Sequence, residues 1–105
     1  MKTYKVVLSR SAKDDLKKSV SYLHDSKKSP QAAKNLLDDF NETKSKLKTV
    51  AGSLKLLDNP NFASRGLRKI GFRKHKYYMI YVVDEDTAYV TNIFHEREDA
   101  ENKLK

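Results

Sequence analysis

The alternation of apolar and polar positions along the chain predicts four strands. Residues 2–8, KTYKVVL, alternate in polarity and contain β-branched side chains, which is typical of a strand. Residues 67–73 predict a second, short strand. Residues 77–83 and 87–94 predict two further strands joined by the tight turn DED, so the last two strands form a hairpin.

A helical period of apolar residues separates the first strand from the others. Ser11, followed by Asp14, resembles a capping box that opens the first helix. The segment HDSKKSP interrupts the pattern, and Ser29 and Pro30 fit the N-cap and the first position of a second helix. Both helices are apolar on one side only, so each must lie on a surface. The apolar positions are Ala12, Leu16, Val20 and Leu23 in the first helix, and Ala33, Leu36, Leu37, Phe40, Leu47 and Val50 in the second.

The element order β-α-α-β-β-β predicts an α+β domain. Two N-terminal helices pack on one face of a small, mostly antiparallel sheet of about four strands. The tail HEREDAENKLK predicts a short C-terminal helix or a frayed end. A chain of 105 residues is long enough for one core and too short for two, so residues 1–105 are interpreted as a single domain.

The first hairpin strand is apolar on both of its faces. Tyr77, Met79, Tyr81 and Val83 point to one side, and Tyr78, Ile80 and Val82 point to the other. A sheet with one face in water should instead alternate apolar and polar residues, and two helices can cover only one face. Two explanations stay open for the second face. Either Tyr78, Ile80 and Val82 face a partner, or the terminal segment folds over them.

Positive charge is concentrated just before this hairpin. The chain has a net charge of +8, and residues 51–76 contain seven Lys or Arg against one acidic residue. Six of the twelve residues from Arg65 to Lys76 are basic and none is acidic, whereas residues 77–105 have a net charge of −4. Such a concentration predicts a polyanionic partner, which is a nucleic acid, an acidic protein or a membrane surface.

Motifs for metals, cofactors and membranes are absent from the sequence. The chain has no Cys, its three His residues are far apart, and it has only three Gly, so we expect neither a metal site nor a nucleotide cofactor. No apolar run approaches the ~20 residues of a membrane span. A chain without Cys also fits a reducing compartment, and we expect it to be cytoplasmic.

What remains is a set of basic side chains around the hairpin. Arginine and lysine can stabilise the extra negative charge of a phosphoryl transition state without a metal, and histidine can exchange protons at neutral pH. By composition alone, the set fits a nucleic-acid binder as well as a nuclease. Its members are Arg65, Arg68, Lys69, Arg73, Lys74, His75, Lys76, His95 and Arg97.

The segments VVLSRSAKDDL, GLRKI and YMIYVVDEDTAYVTNIFHERED resemble the RelE/ParE family of toxins from type II toxin–antitoxin modules. The resemblance covers almost the whole chain and implies two activities on one scaffold. RelE-like members enter the ribosomal A site and cleave mRNA, using the 2′-hydroxyl as nucleophile, whereas ParE-like members poison DNA gyrase. Our leading prediction is a metal-independent endoribonuclease that acts on ribosome-bound mRNA and inhibits translation. The alternatives are a gyrase inhibitor of the same fold and a non-toxic, basic RNA- or protein-binding relative.

The resemblance also implies roles for single residues. Lys69 and Arg73 match basic positions on the second strand, and Arg97 matches a basic residue after the last strand. In the nuclease, Arg73 and Arg97 would stabilise the scissile phosphate, and His75 or His95 would transfer a proton. The implied RNA-binding residues are Arg65, Arg68, Lys69, Lys74 and Lys76.

Two positions depart from the RelE-like pattern. Tyr78 stands where RelE-like members commonly have an arginine, and Lys103 stands about where many have a tyrosine. The ending from His95 to Asp99, His-x-Arg-x-Asp, resembles many ParE-like sequences. The resemblance further implies a cognate antitoxin with an extended, usually acidic segment, which would cover the apolar surface and the basic site together.

Overall fold

Four strands form one mixed sheet: β1 (Lys5–Leu8), β2 (Arg68–Gly71), β3 (Tyr77–Asp84) and β4 (Thr87–His95). The computed structural model describes residues 2–104. The strand order is β1-β4-β3-β2, in which β1 runs parallel to β4 and the other pairs are antiparallel. The predicted α+β class and the mostly antiparallel sheet are therefore confirmed.

Within residues 2–104, five helical segments accompany the sheet, and two long ones lie between β1 and β2. Ser29 caps the second long helix as predicted, because its Oγ accepts a hydrogen bond from the Ala32 backbone N–H at 3.2 Å. The first long helix begins earlier than predicted. Ser9, rather than Ser11, is its N-cap and accepts from the Ala12 N–H at 3.1 Å. The segments are α1 (Arg10–Ser21), a π-helical turn (Tyr22–Ser26), α2 (Pro30–Val50), α3 (Pro60–Ser64) and α4 (Ala100–Leu104).

The main core lies between the two long helices and one face of the sheet. Leu36 and Leu47 of α2 are fully buried there against Met79 and Val90 of the sheet. Tyr81 joins this core, and its hydroxyl donates to the Ala51 carbonyl at 2.8 Å. Burial raises the pKa of Tyr81 to about 12, so the hydroxyl remains a hydrogen-bond donor at physiological pH.

The second face of the sheet is covered in part by the protein's own C-terminal half. Ile80 is 1% exposed and packs with Phe62 of α3 and Leu104 of α4. Of the two explanations for this face, the folded-over terminal segment therefore applies to Ile80. The alternative explanation, in which Ile80 faces a partner, does not apply, because the side chain is buried within the chain itself. Tyr78 and Val82 are only half-buried beside the same cluster.

The short helix α3 lies between the second predicted helix and the second predicted strand, where the sequence analysis above predicts neither a helix nor a strand. Asn59 is its N-cap, because the Asn59 side chain accepts from the Asn61 N–H at 2.9 Å, and Pro60 occupies the first helical position. This Asn-Pro pair is a helix-start signal in the sequence, like the pair Ser29-Pro30 before α2. The C-terminal helix α4 is present as predicted.

Candidate functional site

The loop between β2 and β3 and the turn after β4 meet at one end of the sheet. The Phe72 N–H donates to the Tyr77 carbonyl at 2.8 Å and closes the loop, while Tyr77 pairs with His95 across the hairpin. The Glu96 N–H then donates to the Lys76 carbonyl at 2.9 Å, which joins loop and turn directly. We call residues 73–76 and 95–97 the basic end of the sheet.

The basic end unites all four predicted catalytic residues, together with two of the five predicted RNA-binding residues. Arg73, Lys74, Lys76 and Arg97 are exposed there, and His75 and His95 are half-buried. Because exposed cations at one end of a sheet form a local positive field, this surface suits a phosphate-bearing partner.

A buried carboxylate on α2 lies directly beneath the loop. Asp39 is 1% exposed and accepts three hydrogen bonds, all from consecutive residues of the loop. The distances are 3.2 Å from the Arg73 N–H, 2.9 Å from the Lys74 N–H and 2.7 Å from His75 Nδ1. Burial by itself would raise the pKa of Asp39, but these hydrogen bonds outweigh burial and lower the pKa below its ordinary value.

The two histidines of the basic end use Nδ1 in opposite ways. His75 Nδ1 faces the Asp39 carboxylate and therefore donates, which leaves Nε2 of the neutral ring as an acceptor. His95 Nδ1 faces the Arg97 N–H at 3.1 Å and therefore accepts, which places the proton of the neutral ring on Nε2. The neutral rings thus present one proton acceptor and one proton donor.

The turn that carries His95 is held by Glu98. The Glu98 carboxylate accepts from the His95 N–H at 3.0 Å and contacts the Lys103 ammonium at 2.5 Å. Burial would raise the pKa of Glu98, but the hydrogen bonds from Lys103 and the His95 backbone lower it. The His95 ring meets Tyr77 edge-on, with the ring centres 4.9 Å apart.

Three of the predicted RNA-binding residues lie outside the basic end. Arg65 Nη1 donates to the Leu104 carbonyl at 2.9 Å and links α3 to α4. Arg68 Nη1 donates to the carbonyls of Leu54, at 2.6 Å, and Gly52, at 3.2 Å. Because these two carbonyls engage Nη1, we expect Arg68 to contribute less to RNA binding than the exposed cations of the basic end.

Lys69 lies on the second face of the sheet rather than at the basic end. Its Nζ is 5.5 Å from the centre of the Tyr78 ring, a cation–π contact at an exposed position. Successive strand residues point to opposite faces, so Arg68 and Lys69 cannot serve one surface together.

An apolar groove lies between β1, α1 and α2, away from the basic end. Its volume is about 550 Å³, and β1 forms one wall at the edge of the sheet. Val7 is 45% exposed and Leu37 is 37% exposed, so the groove presents apolar surface to solvent. Its other lining residues include Leu16, Val20 and Phe40, with Lys13, Lys17 and Lys44 as its cations.

The sequence analysis predicts neither a functional role for Asp39 nor the apolar groove, although the sequence contains a signal for each. Asp39 lies beside Phe40 and three residues after Leu36, within the helix stripe that faces the core, so a charged residue there needs a buried partner. Leu37 follows Leu36 and widens the apolar stripe beyond what one packed face requires.

The comparison with protein-family models gives one decisive match. The model of the ParE toxin of the type II toxin–antitoxin system parDE matches residues 6–100. The chain belongs to the ParE toxin family. The RelE/ParE resemblance of the sequence is thereby confirmed.

Solved structures of ParE-type and RelE-type systems share the fold. The chromosomal ParDE toxin–antitoxin system from P. aeruginosa aligns with a TM-score of 0.72 and 17% identity, covering 89% of this chain and 96% of that chain. The RelBE2 toxin–antitoxin complex from Mycobacterium tuberculosis aligns with a TM-score of 0.62 and 18% identity, covering 93% and 97%. A comparison with curated protein sequences gives no match.

Two further features bear on the chemistry of this ParE-family chain. Within residues 2–104, no cluster of three or more His, Asp or Glu side chains is arranged to hold a metal ion. None of the helices in this described part combines the length and apolar content needed to cross a membrane.

Proposed function

We propose that this toxin cleaves ribosome-bound mRNA at the basic end, without a metal. The observation that carries the proposal is the pair of differently oriented histidines among exposed arginines and lysines. When both rings are neutral, the contact with Asp39 leaves His75 Nε2 as a proton acceptor, and the contact with the Arg97 N–H leaves His95 Nε2 as a proton donor. A general base and a general acid are both needed for transfer to a 2′-hydroxyl.

The proposed reaction balances with these two groups. His75 Nε2 accepts the proton of the 2′-hydroxyl as its oxygen forms a bond to phosphorus. The bond from phosphorus to the 5′-oxygen breaks, and His95 Nε2–H protonates that oxygen, leaving a 2′,3′-cyclic phosphate and a 5′-hydroxyl. Arg73 and Arg97 stabilise the additional negative charge on the phosphoryl oxygens.

A cell-free translation assay with primer extension on the mRNA tests this proposal. The wild-type chain should stop translation and produce new 5′ ends within ribosome-bound codons. His75→Ala and His95→Ala should each slow cleavage by about 10²-fold or more, because each removes a proton-transfer group. His24→Ala is the matched control, since His24 is exposed on the π-helical turn. Intact mRNA at saturating wild-type toxin would reject the proposal.

Inhibition of DNA gyrase is the second candidate function. The match to the ParE model favours it, as does Tyr78 at a position where RelE-like members commonly have an arginine. The hydrogen bonds from Arg68 to backbone carbonyls also favour it, because they engage a cation that the nuclease reading assigns to RNA binding. A supercoiling assay with purified gyrase separates the two candidates: inhibited gyrase with uncut mRNA supports the second, and unaffected gyrase excludes it.

We further propose that the apolar groove binds the acidic segment of the cognate antitoxin. The groove combines exposed Val7 and Leu37 with three lysines, so it complements a chain that is both apolar and acidic. The edge strand β1 can add an extended segment through backbone hydrogen bonds.

A matched pair of leucines tests the antitoxin site. Leu37→Asp should weaken antitoxin binding at least about tenfold, because it places a charge in the apolar groove opposite an acidic segment. Leu56→Asp is the control, since Leu56 is similarly exposed, at 39% against 37%, but lies outside the groove. Equal antitoxin affinity of the two variants would contradict the assignment.

A further inference from the structure

We propose that Asp39 is a positioning residue, which fixes the His75 ring and the backbone of residues 73–75 for the cleavage reaction. The inference rests on the proposed mRNA cleavage, and it adds a residue that has no contact with RNA itself.

The first argument is that Asp39 sets the tautomer of His75. A carboxylate can only accept a hydrogen bond, so the 2.7 Å contact requires a proton on Nδ1 of His75. The side chain of Asp39 is 0% exposed, whereas the His75 side chain is 26% exposed. The orienting group is therefore shielded from water, while the ring that it orients reaches the surface.

The second argument is that Asp39 holds the loop itself. Its two oxygens accept from the backbone N–H groups of Arg73 and Lys74, so two consecutive peptide units are fixed to α2. Phe72 adds a second attachment, with its ring centre 6.3 Å from that of Phe40. A loop attached at both points presents the side chains of residues 73 and 74 outward from a rigid helix.

A merely structural role would account for the contacts with the backbone but not for the choice of partner at His75. An amide or hydroxyl on α2 could satisfy the two N–H groups. A carboxylate that also orients an imidazole with a free Nε2 matches the arrangement that activates a general base. The geometry therefore connects the buried face of α2 to the proposed chemistry.

The experiment compares Asp39→Asn and Asp39→Glu with Asp38→Asn in the full chain. Asp38 is the preceding, exposed residue of α2, so its substitution removes the same charge without changing the loop contacts. In single-turnover cleavage of ribosome-bound mRNA, Asp39→Asn should lower the maximal rate at least about tenfold, with half-saturation changed by less than about threefold. Asp39→Glu should restore part of the rate. Equal rates for Asp39→Asn and Asp38→Asn would overturn the inference.

A spectroscopic measurement covers the case in which Asp39→Asn fails to fold. Long-range ¹⁵N–¹H spectra of the wild-type chain should show the neutral His75 ring protonated on Nδ1, and the Arg73 and Lys74 amides should exchange slowly. A ring that is protonated on Nε2 would overturn the inference. If the neutral His75 ring is protonated on Nδ1 but the wild-type chain leaves mRNA uncut, the proposed function alone is rejected. If the wild-type chain cleaves mRNA although its His75 ring is not held with the proton on Nδ1, the role of Asp39 alone is rejected.

Discussion

Arg68 and Lys69 are adjacent basic residues that the fold uses in opposite ways, and one pair of substitutions tests this. Replacing each with Met removes one positive charge and keeps an unbranched side chain. Arg68→Met should destabilise the protein, whereas Lys69→Met should not. The reason is that Arg68 donates to two backbone carbonyls, those of Gly52 and Leu54, while Lys69 is exposed over the Tyr78 ring.

The size of the Arg68 effect follows from three contributions. A charged donor at 2.6 Å from the Leu54 carbonyl stabilises by about 1.5–3 kcal/mol, and the contact of 3.2 Å with the Gly52 carbonyl adds up to about 1 kcal/mol. Against these, Arg68 Nε is buried and has no hydrogen-bond partner among the described residues 2–104, which costs about 1 kcal/mol that Met would relieve. The net loss for Arg68→Met is therefore about 0.5–3 kcal/mol. Lys69→Met forfeits an exposed cation–π contact and should cost about 0.5 kcal/mol or less.

Urea unfolding followed by circular dichroism measures both changes. At about 4 °C per kcal/mol for a domain of this size, the melting temperature of Arg68→Met in a thermal scan should also fall by roughly 2–12 °C. The reasoning is refuted if Arg68→Met is as stable as wild type. It is equally refuted if the two variants lose the same amount, because a shared loss would place both side chains in similar surroundings.

Three further substitutions probe the loop anchor, a close approach and the first helix. Hydrogen bonds lower the pKa of Asp39 below its ordinary value of 3.8, so the ionised carboxylate stabilises the folded protein. This contribution to the unfolding free energy is complete above about pH 5 and is lost as the pH falls through 3.8 and below. The gap in unfolding free energy between wild type and Asp39→Asn should therefore narrow in acid urea titrations, and a constant gap would contradict this sign. Gly52→Ala places a Cβ against the Tyr4 hydroxyl, closer than van der Waals contact, and should cost about 1–3 kcal/mol of unfolding free energy. Tyr4→Phe should restore part of this loss in a double-mutant cycle. Ser9→Ala should lower the unfolding free energy by about 1 kcal/mol, and Ser11→Ala by less than about 0.5 kcal/mol, because Ser9 is the N-cap of α1. Thermal unfolding measures both losses, and a larger loss for Ser11→Ala would indicate that Ser11 is the cap.

Most of the fold can be predicted from the sequence, because the periodicity of apolar residues in each segment agrees with the face that the segment packs in the structure. The stripes on α1 and α2 and the alternation along β1 each predict an element that the structure contains. Where the predicted start of α1 differs from the observed one, a tertiary contact determines which residue is the N-cap. Ser9 takes the cap because its backbone N–H also donates to Val90 and its hydroxyl to Thr91, both on β4. No pattern within α1 itself could reveal a contact with a strand about 80 residues away.

The candidate site was only partly predictable for a related reason. Composition identified the basic residues, but it could not distinguish the cations that the fold uses from those that it leaves exposed. Strand β2 places Arg68 where it donates to the Leu54 carbonyl, and Asp39 holds residues 73–75 against the middle of α2. Both outcomes depend on partners more than ten residues away in the sequence, so charge counting overestimates the number of cations that are free to bind a polyanionic partner.

This division of charge makes a quantitative prediction for RNA binding. Four exposed cations remain at the basic end: Arg73, Lys74, Lys76 and Arg97. If each neutralises one phosphate of a single-stranded RNA oligonucleotide, the logarithm of the binding constant should fall with the logarithm of the salt concentration with a slope of about −3. Lys74→Ala should reduce the steepness of this slope by about 0.7, since one phosphate contact is lost. Arg68→Met removes the same charge but should leave the slope unchanged, because its guanidinium binds the carbonyls of Gly52 and Leu54. If Arg68→Met changes the slope and Lys74→Ala does not, the RNA binds to a different face of the sheet.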